Sequence, residues 1–270
     1  MEFQYFDAHS HVQDKDFDKD REDMLDALAW MKIGTVAVGT DLASSEAAVA
    51  LAQRRDPVFA AVGQHPTDTD EAFDEAAFAR LAREPRVVAV GECGLDYFRA
   101  DDVAAARAKQ VPLFEAQIAL AAQVQKPLMI HARPSRGTMD AYREILDMLT
   151  SAKREYGDAL TANLHFFAGG LDEARAFLDL GFTLSFTAVL TFARDYDEVV
   201  RFAPLDRILA ETDAPYVAPA PNRGRRNDPR AVQAVVAALA GIRSEEEEVV
   251  RQATVENTVR TFRLHKPERP

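Results

Sequence analysis

A single cysteine, Cys93, occurs in the 270 residues, so an intrachain disulfide is excluded and a reducing compartment is the natural setting. Long apolar runs are missing too. Nothing approaches the ~20 residues of a membrane helix, and Met1-Glu2-Phe3-Gln4 lacks the basic start and apolar stretch of a secretory signal. A cytoplasmic location with no membrane partner is expected. Positive charge is short: 32 lysines and arginines stand against 44 aspartates and glutamates, a net charge of -12. Such a surface as a whole repels nucleic acid and anionic membranes, so a phosphate-bearing substrate needs local groups to hold it. No G-x-G-x-x-G turn follows the first apolar run, which argues against a dinucleotide-binding, doubly wound sheet, and no internal repeat divides the chain. What is present is apolar content, 47%, ample for a core and contrary to disorder. The length fits one α/β domain across residues 1–270.

Short apolar segments at 3–6, 33–39, 58–63, 87–91, 127–130, 160–164, 182–186 and 207–210 alternate with stretches of helical periodicity. The first helix carries Met24, Leu25, Leu28 and Met31 on one face, and Ser44-Ser45-Glu46 caps a second running to Arg55. A long helix at 102–125 contains Pro112, which implies a kink or a later start. Others are expected at 73–83, 138–155, 171–180, 196–202, 229–240 and 244–262. The proline- and arginine-rich stretch 214–228 reads as a long loop within the same domain. Eight strand-then-helix units with continuously apolar strands point to parallel strands covered by helices and closed as a (β/α)8 TIM barrel.

Asp7-Ala8-His9-Ser10-His11 closes the first strand, and if the extended conformation persists, Asp7, His9 and His11 share a face. His65 follows strand three, Glu92 strand four, His131 strand five, His165 strand six and Asp213 strand eight. All lie at carboxyl ends of strands, the rim where barrel active sites are built; only His265, in the tail, falls elsewhere. Singly, each reads as a packing histidine or a capping acid. Jointly they do not, because packing gives no reason for histidines to gather at one rim. Four imidazoles (His9, His11, His131, His165) and two carboxylates (Glu92, Asp213) exceed one tetrahedral site with an open position and suit two divalent metal ions sharing a carboxylate. Glu92, central in strand order, is the natural bridge. Two cations about 3.5–4 Å apart can activate water and stabilise both oxygens of a phosphoryl transfer, and Asp213 would be both a ligand and the acceptor of the water's proton. Imidazole favours zinc, nickel, iron or manganese in the isolated protein, with magnesium or manganese expected to serve in the cell.

Phe6-Asp7-Ala8-His9-Ser10-His11, Gly63-Gln64-His65-Pro66, Gly91-Glu92-Cys93-Gly94-Leu95-Asp96, Ile130-His131-Ala132-Arg133, His165-Phe166-Phe167-Ala168-Gly169 and Glu211-Thr212-Asp213-Ala214-Pro215-Tyr216 together resemble the TatD-type metal-dependent deoxyribonuclease family, within the amidohydrolase-like barrels. Arg223-Gly224-Arg225-Arg226-Asn227-Asp228-Pro229 and the segment opening at Asn257 match further family stretches, so the resemblance spans nearly the whole chain. It implies one metal held by His9, His11, Glu92 and Asp213, a second held by Glu92, His131 and His165, and His65 facing substrate phosphate. It also implies hydrolysis of DNA from an end, chiefly as a 3'-to-5' exonuclease on single strands. The chain departs from the family in having Phe166-Phe167-Ala168 where Cys-Phe-Ser is common, and in a longer 134–158 stretch. Both bear on substrate choice rather than on metal binding.

Arg223, Arg225 and Arg226, in the loop after strand eight, are placed to grip phosphates in an otherwise acidic protein, and Arg133, two residues past His131, is a similar candidate; Arg133 and Arg226 are carried forward with His65 as substrate-binding residues. Cys93 reads as a buried packing residue. Gly169-Gly170 could offer backbone N–H groups to an anion or form a plain turn, and 245–248 reads as the exposed acidic first turn of the last helix. The competing class is a metal-dependent amidohydrolase or lactonase acting on a small neutral molecule. Glu92 favours the nuclease, since many of those relatives place a modified lysine there. A nucleic-acid binder without catalysis is disfavoured by retention of all six ligands.

Overall fold

The computed structural model describes residues 3–264; His265 lies outside them. Eight strands, β1 (Tyr5–Ser10), β2 (Ile33–Val38), β3 (Val58–Val62), β4 (Val87–Asp96), β5 (Leu128–Arg133), β6 (Ala162–Leu164), β7 (Thr183–Phe186) and β8 (Ile208–Ala210), pair in parallel and in chain order. The ring is closed at the rim, where Asp213 N–H donates to His9 O at 2.9 Å and His11 N–H to Ala214 O at 2.7 Å. This is the expected (β/α)8 TIM barrel. Its strands are largely apolar below the rim because both faces are covered: every residue of β2 and β3 is buried. Alternate positions separate two layers. Ile33, Ala37, Val58, Ala60, Leu128 and Ile130 pack under the helices, while Phe6, Val36, Val38, Phe59, Ala61, Met129 and Leu209 form a separate core joined by Phe262.

Helices follow the strands as α1 (Arg21–Met31), α2 (Leu42–Arg54), α3 (Glu75–Ala82), α4 (Val103–Val124), α5 (Asp140–Tyr156), α6 (Leu171–Asp179), α7 (Asp197–Phe202), α8 (Val232–Arg243) and α9 (Glu247–Thr261). In α5 the buried set Ala141, Tyr142, Ile145, Leu149 and Ala152 is one helical stripe. Asp41, rather than Ser44, caps α2; Ser44 is its third residue and completes the box by accepting the Asp41 N–H. Helix α4 runs through Pro112, and its start is fixed by the Asp102 carboxylate accepting from Ala104 and Ala105. The 229–240 segment opens as a 3-10 turn (Pro229–Ala231) before α8. Gly170 caps α6, and its N–H is taken by Glu173, which makes the glycine pair a turn. Among the described residues no helix is long and apolar enough to cross a membrane.

Two strands differ from expectation where they meet the rim. Strand β1 does not keep a simple alternation: Asp7 pairs with Thr35 but Ser10 with Ala37, so an extra residue is accommodated. Strand β4 continues five residues past its apolar run, to Asp96. Gly91 and Gly94 make this possible. Both have positive φ, and a Cβ at either would stand 2.4 Å from Met129 O or 2.0 Å from His131 O, so only glycine lets β4 lie this close to β5 while its register shifts between Val90 and Cys93.

Candidate metal centre

The strand ends bring the six predicted ligands to one place. His9 and His11 turn their Nε2 atoms to 3.2 Å from each other. Glu92 Oε2 stands 3.5 and 3.8 Å from those two nitrogens, and Asp213 Oδ1 stands 3.7 and 3.5 Å from them. The other Glu92 oxygen, Oε1, faces His131 Nδ1 at 2.9 Å and His165 Nε2 at 3.7 Å. Glu92 therefore lies between two histidine pairs, one oxygen toward each, and each pair with Glu92 is a group able to hold a metal ion. All these side chains are buried or nearly so.

The partners of the ligands fix which nitrogen each imidazole presents. His11 Nδ1–H donates to Val38 O at 2.8 Å, leaving the Nε2 lone pair toward Glu92 and Asp213. His131 Nε2–H points to Asp96 Oδ2 at 3.2 Å, leaving Nδ1 toward Glu92. His165 Nδ1 lies 2.8 Å from Glu211 Oε1, although off the line an N–H would follow. Glu211 is itself held by Ser185 Oγ and by the Phe166 N–H at 2.6 Å. The rings of His9 and His165 stack at 3.6 Å, and His9 Nδ1 is buried without a partner.

Asp7 does not join the ligands. Its carboxylate accepts from Thr212 N–H at 2.7 Å, Thr212 Oγ1 at 2.8 Å and Thr35 Oγ1 at 3.2 Å, because the extra residue in β1 turns His9 and His11 into the mouth and leaves Asp7 in the seam with β8. Asp96 and Glu211 were not singled out from sequence. A signal for them exists: Glu92 and Asp96 differ by an even number of positions along β4 and so tend to one face, and Glu211 stands two residues before Asp213, just past β8.

Charge decides what this pocket can hold. Among the described residues no lysine or arginine comes within ion-pairing distance of Glu92, Glu211 or Asp213; their partners are histidines alone. Burial opposes ionisation of Glu92, yet the imidazoles of His65, His131, His9 and His165 hold its carboxyl well below the usual range; Asp213, also against burial, is lowered by His11, His165 and His9. Conversely, though burial disfavours their charge, His11 and His131 are raised by the carboxylates beside them, and His165 is raised to about 10 by Glu211, Glu92 and Asp213. The acids thus draw cationic charge into a buried space. The converging Nε2 lone pairs, the orphaned His9 nitrogen and the mixed imidazole–carboxylate donor set fit divalent metal as that charge, with protons displaced from the ligands on binding.

His65 differs from the ligands. Its Nδ1 accepts the Thr67 N–H at 3.2 Å, so in the neutral ring Nε2 carries the hydrogen, 3.5 Å from Glu92 Oε1. Burial, and then the nearby His131, lower it to about 3, which keeps the ring a neutral donor. A cavity of about 810 Å³ opens over the site, lined by His11, His65, Glu92, His131, His165 and Asp213 and also by Arg99, Arg133, Phe166 and Tyr216. Arg133 is thus where sequence placed it. Arg226 is not: its guanidinium grips Asp20 and Asp16 O and lies over Phe17. Arg223 lies over Phe192, and none of Arg223, Arg225 and Arg226 lines the cavity. Arg99, unremarked in the sequence, takes that place. Cys93 is buried, its thiol pushed up by burial.

The sequence model of the TatD related DNase family matches residues 6–263. An uncharacterized metal-dependent hydrolase, YabD of Bacillus subtilis, is 34% identical over 268 residues, covering 96% of this chain and 99% of its own. A protein named 3'-5' ssDNA/RNA exonuclease TatD, from Citrobacter koseri, is 33% identical over 267 residues, covering 95% and 98%. The crystal structure of YjjV, a TatD homolog from Escherichia coli K12, superposes with a TM-score of 0.84 at 27% identity, covering 97% of this chain and 99% of that one.

Proposed function

Because the chain belongs to the TatD-related DNase family, whose members named above include metal-dependent hydrolases, we propose that it is a two-metal DNA phosphodiesterase, a 3'-to-5' exonuclease acting on single-stranded ends. One observation carries this reading: Glu92 stands between two histidine pairs with one oxygen toward each, and among the described residues no lysine or arginine neutralises it. One cation would be held by His9, His11, Glu92 and Asp213 and the other by Glu92, His131 and His165. When bound, they supply Lewis-acid charge that lowers the pKa of water and neutralises a phosphodiester in transfer; manganese or magnesium would serve in the cell, and zinc, nickel, iron or manganese would accompany the isolated protein.

The chain's own groups do the rest. Asp213, held ionised among histidines, takes the proton of the attacking water at a carboxylate oxygen. His65 presents Nε2–H to a non-bridging phosphate oxygen, where charge builds in the transition state. Arg133, with Arg99 beside it, holds the phosphate that follows. The proposal takes residues 1–270 as one hydrolase domain, and the buried, unpaired Cys93 suits the cytoplasm.

Incubation of manganese- or magnesium-loaded protein with 5'-labelled single-stranded DNA tests this. Stepwise shortening from the 3' end is expected, abolished by chelator and reduced at least a thousandfold in Glu92→Ala. Turnover of an amide or lactone without any shortening would overturn the assignment.

A further inference from the structure

A cationic, aromatic cluster stands beyond the metal ligands on the β5 side of the mouth. The guanidinium groups of Arg133 and Arg136 lie 4.2 and 5.1 Å from the ring centre of Phe98, and Phe98 is 39% exposed. Several arginines of this acidic chain are committed to carboxylates: Arg21, Arg226, Arg230 and Arg251 all pair with aspartate or glutamate at 2.8 Å or closer. Arg133 and Arg136 have no such partner among the described residues, and Arg99 reaches Asp96 only at 3.8 Å. Three guanidinium groups are therefore left for an outside anion, in a protein whose net charge would otherwise repel one.

Position narrows the ligand. Arg133 is two residues past His131 on β5, about 6.6 Å along the strand, so a phosphate it contacts is the neighbour of the one at the metals. Phe98 follows Asp96 by two residues and offers an apolar face beside that neighbour. Phosphate contact next to an aromatic surface is how single-stranded nucleic acid is held, since an unpaired base has a free face to stack and a duplex base does not. We propose that Phe98, Arg133 and Arg136 form a platform for the nucleotide adjacent to the scissile one, the guanidinium groups contacting its phosphodiester and the aromatic–guanidinium stack its base. This deepens the nuclease reading and rests on it: the platform makes the enzyme choose single strands.

The test is binding, read by fluorescence anisotropy of a labelled, phosphorothioate-linked hexathymidylate over a range of salt. Manganese-loaded wild type is compared with Arg136→Ala and Phe98→Leu, both exposed positions whose fold is checked by circular dichroism. Arg136→Ala should flatten the plot of log affinity against log salt by about 0.7, the release of one counterion from a single strand. Phe98→Leu should weaken binding about tenfold with its slope unchanged, the signature of lost stacking. Neither should alter binding to a blunt duplex. Unchanged slope and affinity in the variants, or an equal loss on duplex, would overturn the platform. Cleavage of the ordinary phosphodiester strand is followed in parallel: wild type that cuts while the variants bind like it overturns the platform alone, whereas wild type that shows the binding pattern without cutting overturns the nuclease reading alone.

Discussion

Removal of the Asp96 carboxylate should weaken one metal position and spare the other. Asp96 sits outside the ligand set and touches it through a single hydrogen bond, from His131 Nε2 at 3.2 Å. Its backbone is clamped independently, with Gln110 Oε1 accepting from Asp96 N at 2.8 Å and Gln110 Nε2 donating to Asp96 O at 2.9 Å, so Asp96→Ala leaves the strand in place. Without the carboxylate, His131 is free to rotate and to carry its proton on Nδ1, the atom that faces Glu92. Loss of such an orienting partner weakens metal affinity about 10–100-fold, or roughly 1–3 kcal/mol. The loss should fall on the His131–His165 side, with the His9–His11 side changed by less than about threefold. Titration of metal-free protein against a chromophoric chelator resolves the two steps. Asp96→Asn, whose amide oxygen still accepts from Nε2–H, should recover most of the loss. The reasoning is refuted if both steps match wild type, or if both weaken together while the fold stays intact.

The seam between β1 and β8 is a second target: Asp7→Ala strands the Thr212 N–H and hydroxyl in a buried place, while the Thr35 hydroxyl keeps Ser10 Oγ, and at about 1–3 kcal/mol for each group left unsatisfied a loss of at least ~2 kcal/mol is expected in urea unfolding. Metal and pH act in opposite senses. In chelator, His165, raised in the fold to about 10, contributes stability that is complete below its unfolded value of about 6.5 and lost as pH rises toward 10, so the melting temperature of metal-free protein should fall over that window. Metal-loaded protein should instead gain stability with pH across the same range, because its ligands no longer have to be stripped of protons; parallel curves would show that the imidazoles are not the ligands.

The strand framework was legible because burial on both faces leaves a plain mark: Ile33–Val38 and Val58–Val62 are apolar without alternation. Legibility ended where chain was given over to the rim. The apolar run of β4 stops at Gly91, and only the pairing with β5 reveals Glu92 to Asp96 as its continuation. Asp7 was grouped with the histidines because alternation assumes no extra residue, and register depends on the neighbouring strand. Arg226 was near the site along the chain but is held by Asp20, 206 positions earlier, a contact no local pattern announces. The convergence of the six candidate ligands was legible, since side-chain chemistry and strand-end position coincide at each one.

The seam also sets a timetable. Asp7 and Thr212, which lock it, are separated by 205 positions, and Asp213 and His9 share one of the two backbone bonds that shut the ring. During synthesis, then, His9 and His11 precede their carboxylate neighbour Asp213 by more than 200 positions, and the strands between must pair before the three meet. A cation site that takes both histidines and Asp213, as proposed, is complete only in the closed barrel, and a fragment that stops short of β8 has no Asp213 to offer it.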